Sequence, residues 1–310
     1  NVIVNTPHIA KSKLWEISGH PDHYRENMFF IQKEDDSEDQ FILKPMNCPF
    51  HILIYQANRH SYRSLPLRMA ELGTVYRKEH SGALAGLTRV QGFTQDDAHV
   101  FCTPEQLVDE INEIIDFVAD TMAISEMCIR DSFKMDFDVE LSTRPESFVG
   151  EIENWNRAEA GLKEAMDRRG MKYEINEGDG AFYGPKIDFK VKDAIGRTWQ
   201  CATIQLDFNL PERFDIKYQD KDGQMKTPVM LHRVIFGSME RFHGILIEHY
   251  AGAFPLWLAP TQVAVVPISN DKHTDYAEKV YKALRNAGIR ANLDDRSESM
   301  NYKIRESLQD

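Results

Sequence analysis

The sequence predicts an α+β fold: a large domain of antiparallel strands with interspersed helices, followed by a smaller α/β domain. Residues 68–76 and 89–101 are strand candidates on either side of a loop rich in Gly, Ser and His, as expected of a hairpin. Residues 103–122 carry a helical stripe of apolar side chains. After residue 258 the order strand, helix, strand, helix is typical of an α/β domain.

Composition indicates a globular protein with one large domain, or a large domain and a smaller companion. Of its 310 residues, 42% are hydrophobic and 28% are charged, the usual balance of a soluble chain. No apolar run reaches the ~18 residues of a membrane-spanning helix, so no membrane partner is expected. The net charge of −12 argues against a protein that coats nucleic acid non-specifically, but a local basic patch would still serve a nucleic-acid substrate.

The cysteines are too few for the disulfide framework of a secreted domain. We therefore expect Cys48, Cys102, Cys128 and Cys201 to be reduced thiols in a cytoplasmic protein. The first residues also lack the basic and apolar pattern of a signal peptide.

The larger domain is expected to contain several further elements. Thr103, Pro104 and Gln106 form a helix start with a capping box. Another helix is predicted to begin near residue 152 and to end near Gly170. The remaining predictions are strands at 41–43 and within 181–208, and helices at 51–58 and from 229 to about 250.

The smaller domain is predicted to begin near residue 259. The near-continuous apolar run at 263–268 indicates a strand buried on both faces. A helix at 274–286, a strand at 289–293 and a helical start at 301–309 are expected to follow.

Two segments fit no regular element. The acidic run at 33–39 is predicted to be a solvated turn. Residues 126–132 fit neither the helix before them nor a short turn into the next strand. Our hypothesis is that this segment is foreign, from an assembly or cloning join, and forms a surface loop.

One segment carries most of the chemical information. Arg77 and Glu79 end a strand, and the returning strand carries Arg89 and Phe93. Two guanidinium groups converging on one face would suit phosphate oxygens, and Phe93 would stack on a base. A surface ion pair between Arg77 and Glu79, with Phe93 in the core, explains the same residues, and the local pattern does not decide between these interpretations.

The same segment resembles motif 2 of the class II aminoacyl-tRNA synthetases, and Gly92–His99 (GFTQDDAH) resembles the threonyl-tRNA synthetase family. Three other stretches agree in the same order: Met46–Pro49, Gly180–Lys186, and His232–Arg233 leading to Gly237–Phe242, which resembles motif 3. The resemblance covers nearly the whole chain. It implies an antiparallel class II sheet flanked by helices, followed by a truncated α/β anticodon-binding domain.

The resemblance also implies the domain organisation. Residues 1–258 would form the catalytic domain, and residues 259–310 the N-terminal part of the anticodon-binding domain. Only the end of motif 1 is present, around residues 5–8, so we expect a fragment that lacks the motif 1 helix. Because that helix is central to the dimer interface of the family, a homodimer is expected of the full-length protein.

A zinc site follows from the resemblance and not from spacing. The resemblance implies one Zn²⁺ ion per chain, held by Cys48, His99 and His232, which lie far apart in the sequence. A thiolate and two imidazoles with one open side form a catalytic zinc arrangement rather than a closed structural one. A local pattern would instead pair Cys48 with His51 on one helical turn; the resemblance leaves His51 a structural role.

Other roles are carried over in the same way. Asp97 is expected to accept hydrogen bonds from the threonine ammonium group, with Gln95 and Tyr183 in the same pocket. Arg77 is expected to hold the α-phosphate and to stabilise charge that develops as the threonine carboxylate attacks. The remaining assignments are Glu79 and Phe93 for adenine, Arg89 and Arg241 for the γ-phosphate of a bent ATP with Mg²⁺, and Gln200, Thr203 and Gln205 as contacts to ATP or substrate.

Two further residues have structural alternatives. Lys186 is expected to contact the carboxylate or a phosphate, unless it is a plain surface lysine. Gly237 and Arg241 are predicted to share one face of a helix, where a glycine would let ATP approach the backbone. A glycine that is merely tolerated in a helix would cost about 1 kcal/mol.

The implied activity is that of a threonine–tRNA ligase with ATP, L-threonine and tRNA(Thr) as partners. Zinc would select the amino acid: valine lacks the hydroxyl group and should be rejected, whereas serine lacks only a methyl group and should be accepted in part. The resemblance implies a separate editing domain against serine in the family, and we do not expect that domain within these residues. The alternatives are a prolyl or seryl synthetase, against which the zinc ligands argue, and a non-catalytic synthetase paralogue, against which the retained arginines argue.

Overall fold

The computed structural model describes residues 2–32, 40–122, 137–193 and 195–307. The predicted turn at 33–39, the predicted foreign segment at 126–132 and Cys128 lie outside these residues. The chain divides into two compact units, Asn1–His249 and Tyr250–Asp310. The domain boundary expected near residue 258 stays a prediction.

The first unit is built on one large sheet. Its described strands are β1 (Val2–Ile3), β2 (Ile9–Lys11), β3 (Phe41–Leu43), β4 (Leu67–Tyr76), β5 (Gly92–Cys102), β6 (Phe137–Ser142), β7 (Glu174–Asn176), β8 (Lys186–Lys192), β9 (Thr198–Asp207), β10 (Tyr218–Gln219), β11 (Met225–Lys226) and β12 (Val229–Val234). Within the described ranges, eight strands form the sheet in the order β1-β4-β5-β12-β9-β8-β6-β7. In this order the neighbouring strands between β4 and β6 are all antiparallel. At the two edges of the sheet, β1 pairs with β4 and β7 pairs with β6, both in parallel.

Helices flank this sheet, as the sequence predicts. The α-helices of the first unit, as far as it is described, are α1 (Ser12–Ser18), α2 (His20–His23), α3 (Cys48–Gln56), α4 (Leu107–Met122), α5 (Ile152–Arg168), α6 (Asn209–Arg213) and α7 (Met239–Tyr250, ending in the second unit). Helices α4 and α5 pack on β9, with Gly161 of α5 against Leu206. A buried cluster that includes Trp15, Tyr55 and Phe101 joins α1 and α3 to the sheet.

Several predicted elements are confirmed. The hairpin is present as β4 and β5, which pair from Leu67 opposite Phe101 to Tyr76 opposite Gly92. Thr103 and Gln106 form the predicted capping box, at a short 3₁₀ turn that leads into α4. Helix α3 begins at Cys48, earlier than the predicted residue 51, because Pro49 suits its first turn.

The predicted helix from residue 229 is wrong over its first part. Residues 229–234 form β12, a central strand between β5 and β9, and Val229, Met230 and Leu231 are all buried. A strand covered on both faces has a continuous apolar run rather than an alternating one, and over a few residues such a run resembles a helix. The helix α7 begins only at Met239.

The second unit has the predicted order of elements. It contains β13 (Val263–Val265), α8 (Asn270–Asn286), β14 (Ala291–Leu293) and α9 (Met300–Ser307), and β13 and β14 pair in parallel. The prediction of a strand buried on both faces is wrong, because β13 is only partly buried and Ile268 is 73% exposed. In the described part of this unit the sheet has two strands. No described helix of either unit is long and apolar enough to cross a membrane.

A buried polar network ties the N-terminal segment to β4 and α3. Both carboxylate oxygens of Glu71 accept hydrogen bonds from Thr6, one of them from its backbone N–H at 2.8 Å. Lys44 Nζ lies 3.3 Å from Glu71 Oε1, and His51 Nε2 lies 3.1 Å from Glu71 Oε2. Burial alone would raise the pKa of Glu71, but hydrogen bonds from His51 and Thr6 outweigh it and lower the pKa to about 2.

We expect Glu71 to make the free energy of unfolding depend on pH. Its folded pKa lies below the unfolded value of about 4.5, so its contribution is present above pH 4.5 and is lost as the pH falls towards 2. When the pH is lowered from 6 to 3, the free energy of unfolding measured by urea denaturation should fall by about 2 kcal/mol less in Glu71→Gln than in the parent chain. The exposed Glu153→Gln should behave like the parent, and an equal pH dependence in Glu71→Gln would contradict this account.

Candidate functional site

Strand register brings the predicted site residues into one row across the sheet. His99 of β5 lies directly opposite His232 of β12, His232 lies opposite Gln205 of β9, and Gln205 lies opposite Lys186 of β8. Because side chains alternate between the two faces of a strand, residues two positions apart add further rows on the same face. Four strands therefore present polar side chains to one surface.

A cavity of about 350 Å³ lies over this surface. Two predicted site residues, Glu79 and Arg89, do not line it. The predicted residues that do are Cys48, Arg77, Phe93, Gln95, Asp97, His99, Tyr183, Lys186, Gln200, Thr203, Gln205, His232 and Arg241. Residues spread over nearly two hundred positions thus meet at one place.

The predicted metal ligands form one compact donor set. One ligand atom each from Cys48, His99 and His232 lie within 4.8 Å of one another, and all three side chains are buried. They come from the start of α3, from β5 and from β12. A sulfur and two imidazole nitrogens at this separation fit a zinc ion.

The outer nitrogen of each imidazole is held by a partner. His232 Nε2 lies 2.9 Å from Asp207 Oδ2, and His99 Nδ1 lies 2.7 Å from His51 Nδ1. The inner nitrogens, His99 Nε2 and His232 Nδ1, face each other at 3.0 Å. Such outer partners are typical of metal-binding histidines, because they fix the ring orientation and the tautomer.

Burial sets the protonation of the donor atoms. It lowers the pKa of His99 well below its usual value, and the neighbouring His232 adds to this effect. The resulting neutral imidazole is the form that binds metals. Burial also raises the pKa of the Cys48 thiol, so a thiolate there requires a cation beside it.

The side-chain amide of Asn47 orients the Asp97 carboxylate. Asn47 Nδ2 donates a hydrogen bond of 3.0 Å to Asp97 Oδ2. Gly73, on the neighbouring strand, makes room for this amide: a Cβ atom at Gly73 would lie 2.6 Å from both Asn47 Oδ1 and Nδ2. Burial raises the pKa of Asp97, so a cationic ligand would stabilise its charged form.

Two arginines reach the cavity from different elements. Arg77 Nε donates to the carbonyl oxygen of Pro45 at 3.2 Å, and its guanidinium carbon lies 5.2 Å from the centre of the Phe93 ring. Arg241 Nε donates to the carbonyl oxygen of Thr88 at 2.8 Å. These bonds leave terminal nitrogens of both groups for an anion in the cavity.

Arg89 and Glu79 bind each other instead of lining the cavity. Arg89 Nη2 lies 2.9 Å from Glu79 Oε2, and half of the Arg89 side chain is exposed. The alternative interpretation of this segment placed Glu79 in an ion pair with Arg77. The structure pairs Glu79 with Arg89.

Asp188 organises the far side of the cavity. It is fully buried and lies 2.7 Å from Lys186 Nζ. It also accepts hydrogen bonds from Gln200 at 2.6 Å and from Thr203 at 2.8 Å. Lys186 is therefore not a plain surface lysine, since only 13% of its side chain is exposed.

The prediction that Gly237 shares a helix face with Arg241 is wrong. Gly237 lies before α7 and has a φ of 71°, which lies outside the helical region. A Cβ atom there would lie 2.9 Å from the carbonyl oxygen of Cys201. Glycine is thus required by the turn into α7 and by close contact with β9, while Gly237 still lines the cavity.

Sequence reasoning missed the acidic residues that support the site. Asp96 accepts hydrogen bonds from the backbone N–H groups of Ile235 and Phe236, and Glu240 accepts from the N–H group of Thr94. A detectable signal existed for Asp188, because this carboxylate stands between the apolar residues Ile187 and Phe189. The partners of Asp96 and Glu240 lie about 140 positions away, and no local pattern indicates them.

Comparison with known families matches both units. The family described as the tRNA synthetase class II core domain (G, H, P, S and T) matches residues 29–250. The family described as the anticodon-binding domain matches residues 262–309.

Individual relatives agree with the family matches. The threonine–tRNA ligase of Carboxydothermus hydrogenoformans is 54% identical over 98% of this chain, which spans 46% of that relative. The crystal structure of the RNA binding domain of threonyl-tRNA synthetase from Cryptosporidium parvum is 44% identical, with a TM-score of 0.90 over 99% of this chain and 74% of its own. A prolyl-tRNA synthetase of Giardia lamblia, at 18% identity over 98% of this chain and 56% of its own, shares the fold with a TM-score of 0.69.

We expect Gly237→Ala to destabilise the first unit by about 1–3 kcal/mol, because alanine is strained at positive φ and its Cβ would press on the Cys201 carbonyl. Chemical denaturation measures the change. Gly82→Ala is the matched control, since a Cβ there meets nothing within 4 Å. Equal stability of the two variants would show that the turn at Gly237 imposes no constraint.

Proposed function

The chain belongs to the class II aminoacyl-tRNA synthetases and, within them, to the threonyl-tRNA synthetase family, and on this premise we propose that it is a threonine–tRNA ligase. The reaction is activation of L-threonine with ATP to threonyl-adenylate, followed by transfer to tRNA(Thr). The observation that carries the proposal is the meeting of a buried Cys–His–His donor set, the Asp97 carboxylate and two arginines in one cavity.

The amino-acid pocket lies around the donor set. A zinc ion held by Cys48, His99 and His232 would act as a Lewis acid towards the amino group and the side-chain hydroxyl of threonine. Asp97, oriented by Asn47, accepts hydrogen bonds from the ammonium group. Gln95 and Tyr183 line the same region of the cavity. Burial raises the pKa of Tyr183, so its hydroxyl remains a hydrogen-bond donor.

The nucleotide lies against the arginine side of the cavity in this proposal. Arg77 binds the α-phosphate and stabilises the charge that develops on it, since a preorganised guanidinium group costs no rearrangement during the reaction. Adenine stacks on Phe93, and Arg241 binds the γ-phosphate of a bent, Mg²⁺-bound ATP. Glu79 and Arg89 contribute to adenine and γ-phosphate binding after their mutual ion pair opens, because Arg89 Nη2 lies 2.9 Å from Glu79 Oε2.

The remaining cavity residues of β8 and β9 are assigned roles from their hydrogen-bond partners. Gln200 and Thr203 are both engaged by Asp188, so we assign them to shaping the pocket and to contacts with ATP or substrate. Gln205 donates to the carbonyl oxygen of Gly184 at 3.3 Å and lies next to His232 in the row. Lys186 contacts the carboxylate or a phosphate from its position on Asp188.

The second unit extends the proposal to tRNA. Its match to the anticodon-binding family supports a role for residues 259–310 in recognition of the tRNA(Thr) anticodon. Residues 1–258 would then be the catalytic domain. A homodimer and a cytoplasmic location, both expected from the sequence, remain predictions for the full-length protein.

The alternatives are weaker. A prolyl synthetase shares the fold at much lower identity, and a prolyl or seryl pocket gives no reason for the Cys48, His99 and His232 donor set. A non-catalytic paralogue has no need for Arg77 and Arg241 converging on the same cavity. The threonine enzyme accounts for both groups of residues.

Amino-acid-dependent exchange between ATP and pyrophosphate tests the activity. We expect exchange with threonine, weaker exchange with serine, negligible exchange with valine, and loss of exchange with a zinc chelator. Rejection of valine by ~10⁴-fold or more follows if a polar site is left unsatisfied, whereas loss of one methyl group costs only about 1–3 kcal/mol. Exchange with proline, or exchange that persists without zinc, would contradict the assignment.

Metal content tests the donor set separately from activity. We expect about one zinc per chain in the purified protein and a large loss of zinc in Cys48→Ala, because two imidazoles alone bind the ion weakly. Cys102→Ala is the matched control, since Cys102 is also a free, buried cysteine but lies outside the cavity. Equal zinc content in the two variants would rule out Cys48 as a ligand.

A further inference from the structure

His51 occupies an unusual position beside the donor set. It lies one turn after Cys48 on α3, is fully buried and does not line the cavity. One ring nitrogen, Nε2, faces the carboxylate of Glu71 at 3.1 Å, and the other, Nδ1, faces His99 Nδ1 at 2.7 Å. His51 thus connects a buried carboxylate to one of the proposed zinc ligands.

The direction of these hydrogen bonds follows from the chemistry of the partners. The ionised Glu71 carboxylate can only accept, so His51 Nε2 must carry a hydrogen. Lys44 Nζ lies 3.3 Å from the same carboxylate, so Glu71 already has a cationic partner. A neutral His51 then has a bare Nδ1, which accepts from His99.

This arrangement fixes the tautomer of His99. If His99 donates from Nδ1 to His51, its Nε2 is bare and points towards His232 Nδ1, 3.0 Å away. Asp207 acts in the same way on the other ligand, because it accepts from His232 Nε2 and leaves His232 Nδ1 bare. Two lone pairs then face each other beside Cys48, which suits a cation between them.

We propose that His51 is a positioning residue for the zinc site: together with Glu71 it forms a relay that holds His99 in the tautomer whose Nε2 lone pair faces the metal. The proposal rests on the zinc site of the proposed function. The spacing of His51 to Cys48 alone would indicate a metal ligand. In this proposal His51 instead supports the ligand His99 and does not bind the ion. Glu71 serves His99 through His51, whereas Asp207 serves His232 directly.

Zinc affinity of two His51 variants tests the relay. Asparagine places its Oδ1 near the position of the histidine Nδ1 and can still accept from His99, whereas leucine of similar size cannot. Loss of an outer partner typically costs 10–100-fold in metal affinity, so we expect that loss for His51→Leu and at most a few-fold loss for His51→Asn. Competition with a chromophoric chelator gives the dissociation constants.

Stability must be separated from positioning. Leu162→Ala, in the buried face of α5 and away from the cavity, is the control for a destabilised core and should keep the zinc affinity of the parent. Parental affinity in His51→Leu, or equal losses in His51→Leu and His51→Asn, would overturn the relay while leaving the zinc site intact. A parent chain that binds no zinc would overturn the site itself and the relay with it.

The tautomer can also be measured without a His51 variant. In the zinc-free full chain labelled with ¹⁵N-histidine, two-bond nitrogen–proton correlations distinguish a protonated Nδ1 from a protonated Nε2. We expect the His99 signals, assigned by their absence in His99→Gln, to show a hydrogen on Nδ1. A hydrogen on Nε2 instead would overturn the proposal.

Discussion

The antiparallel register of β5 against β12 determines the rest of the site. It sets His99 directly opposite His232, and the following pairings continue the row to Gln205. A shift of one residue would turn every side chain of a strand to the other face of the sheet. The donor set, the carboxylate of Asp97 and the cavity floor would be lost together, so the backbone hydrogen bonds of a central strand pair act as part of the functional site.

Buried carboxylates hold this row in place from outside. Glu71, Asp188 and Asp207 are each buried and each is surrounded by donors, which removes the cost of burying a charge. Their partners are cavity residues or neighbours of cavity residues. The polar side chains that face the cavity are thereby fixed before any ligand binds, which lowers the entropy lost on binding.

The sequence predicts much of the fold, because local rules operate there. A loop rich in Gly, Ser and His between two strand candidates marks the β4–β5 hairpin, and Thr103 with Gln106 marks the start of the next helix. The same rules fail at residues 229–234, where a strand covered on both faces has the apolar run of a helix. The site could not be predicted from local rules, because only tertiary structure brings Cys48, His99 and His232 together. Their association was predicted from the family resemblance. The roles of Asp96 and Glu240 were not predicted, because their hydrogen-bond partners are remote in the sequence.

The close packing of the Asn47 amide against Gly73 makes substitutions at positions 47, 73 and 97 depend on one another. Any side chain at position 73 would displace the Asn47 amide, and without that amide Asp97 would lose its hydrogen-bond donor. Substitution at one of these positions is therefore harmful unless the other two change with it. Across relatives, positions 47, 73 and 97 should covary or stay fixed as a group, although they lie on a helix cap and two different strands.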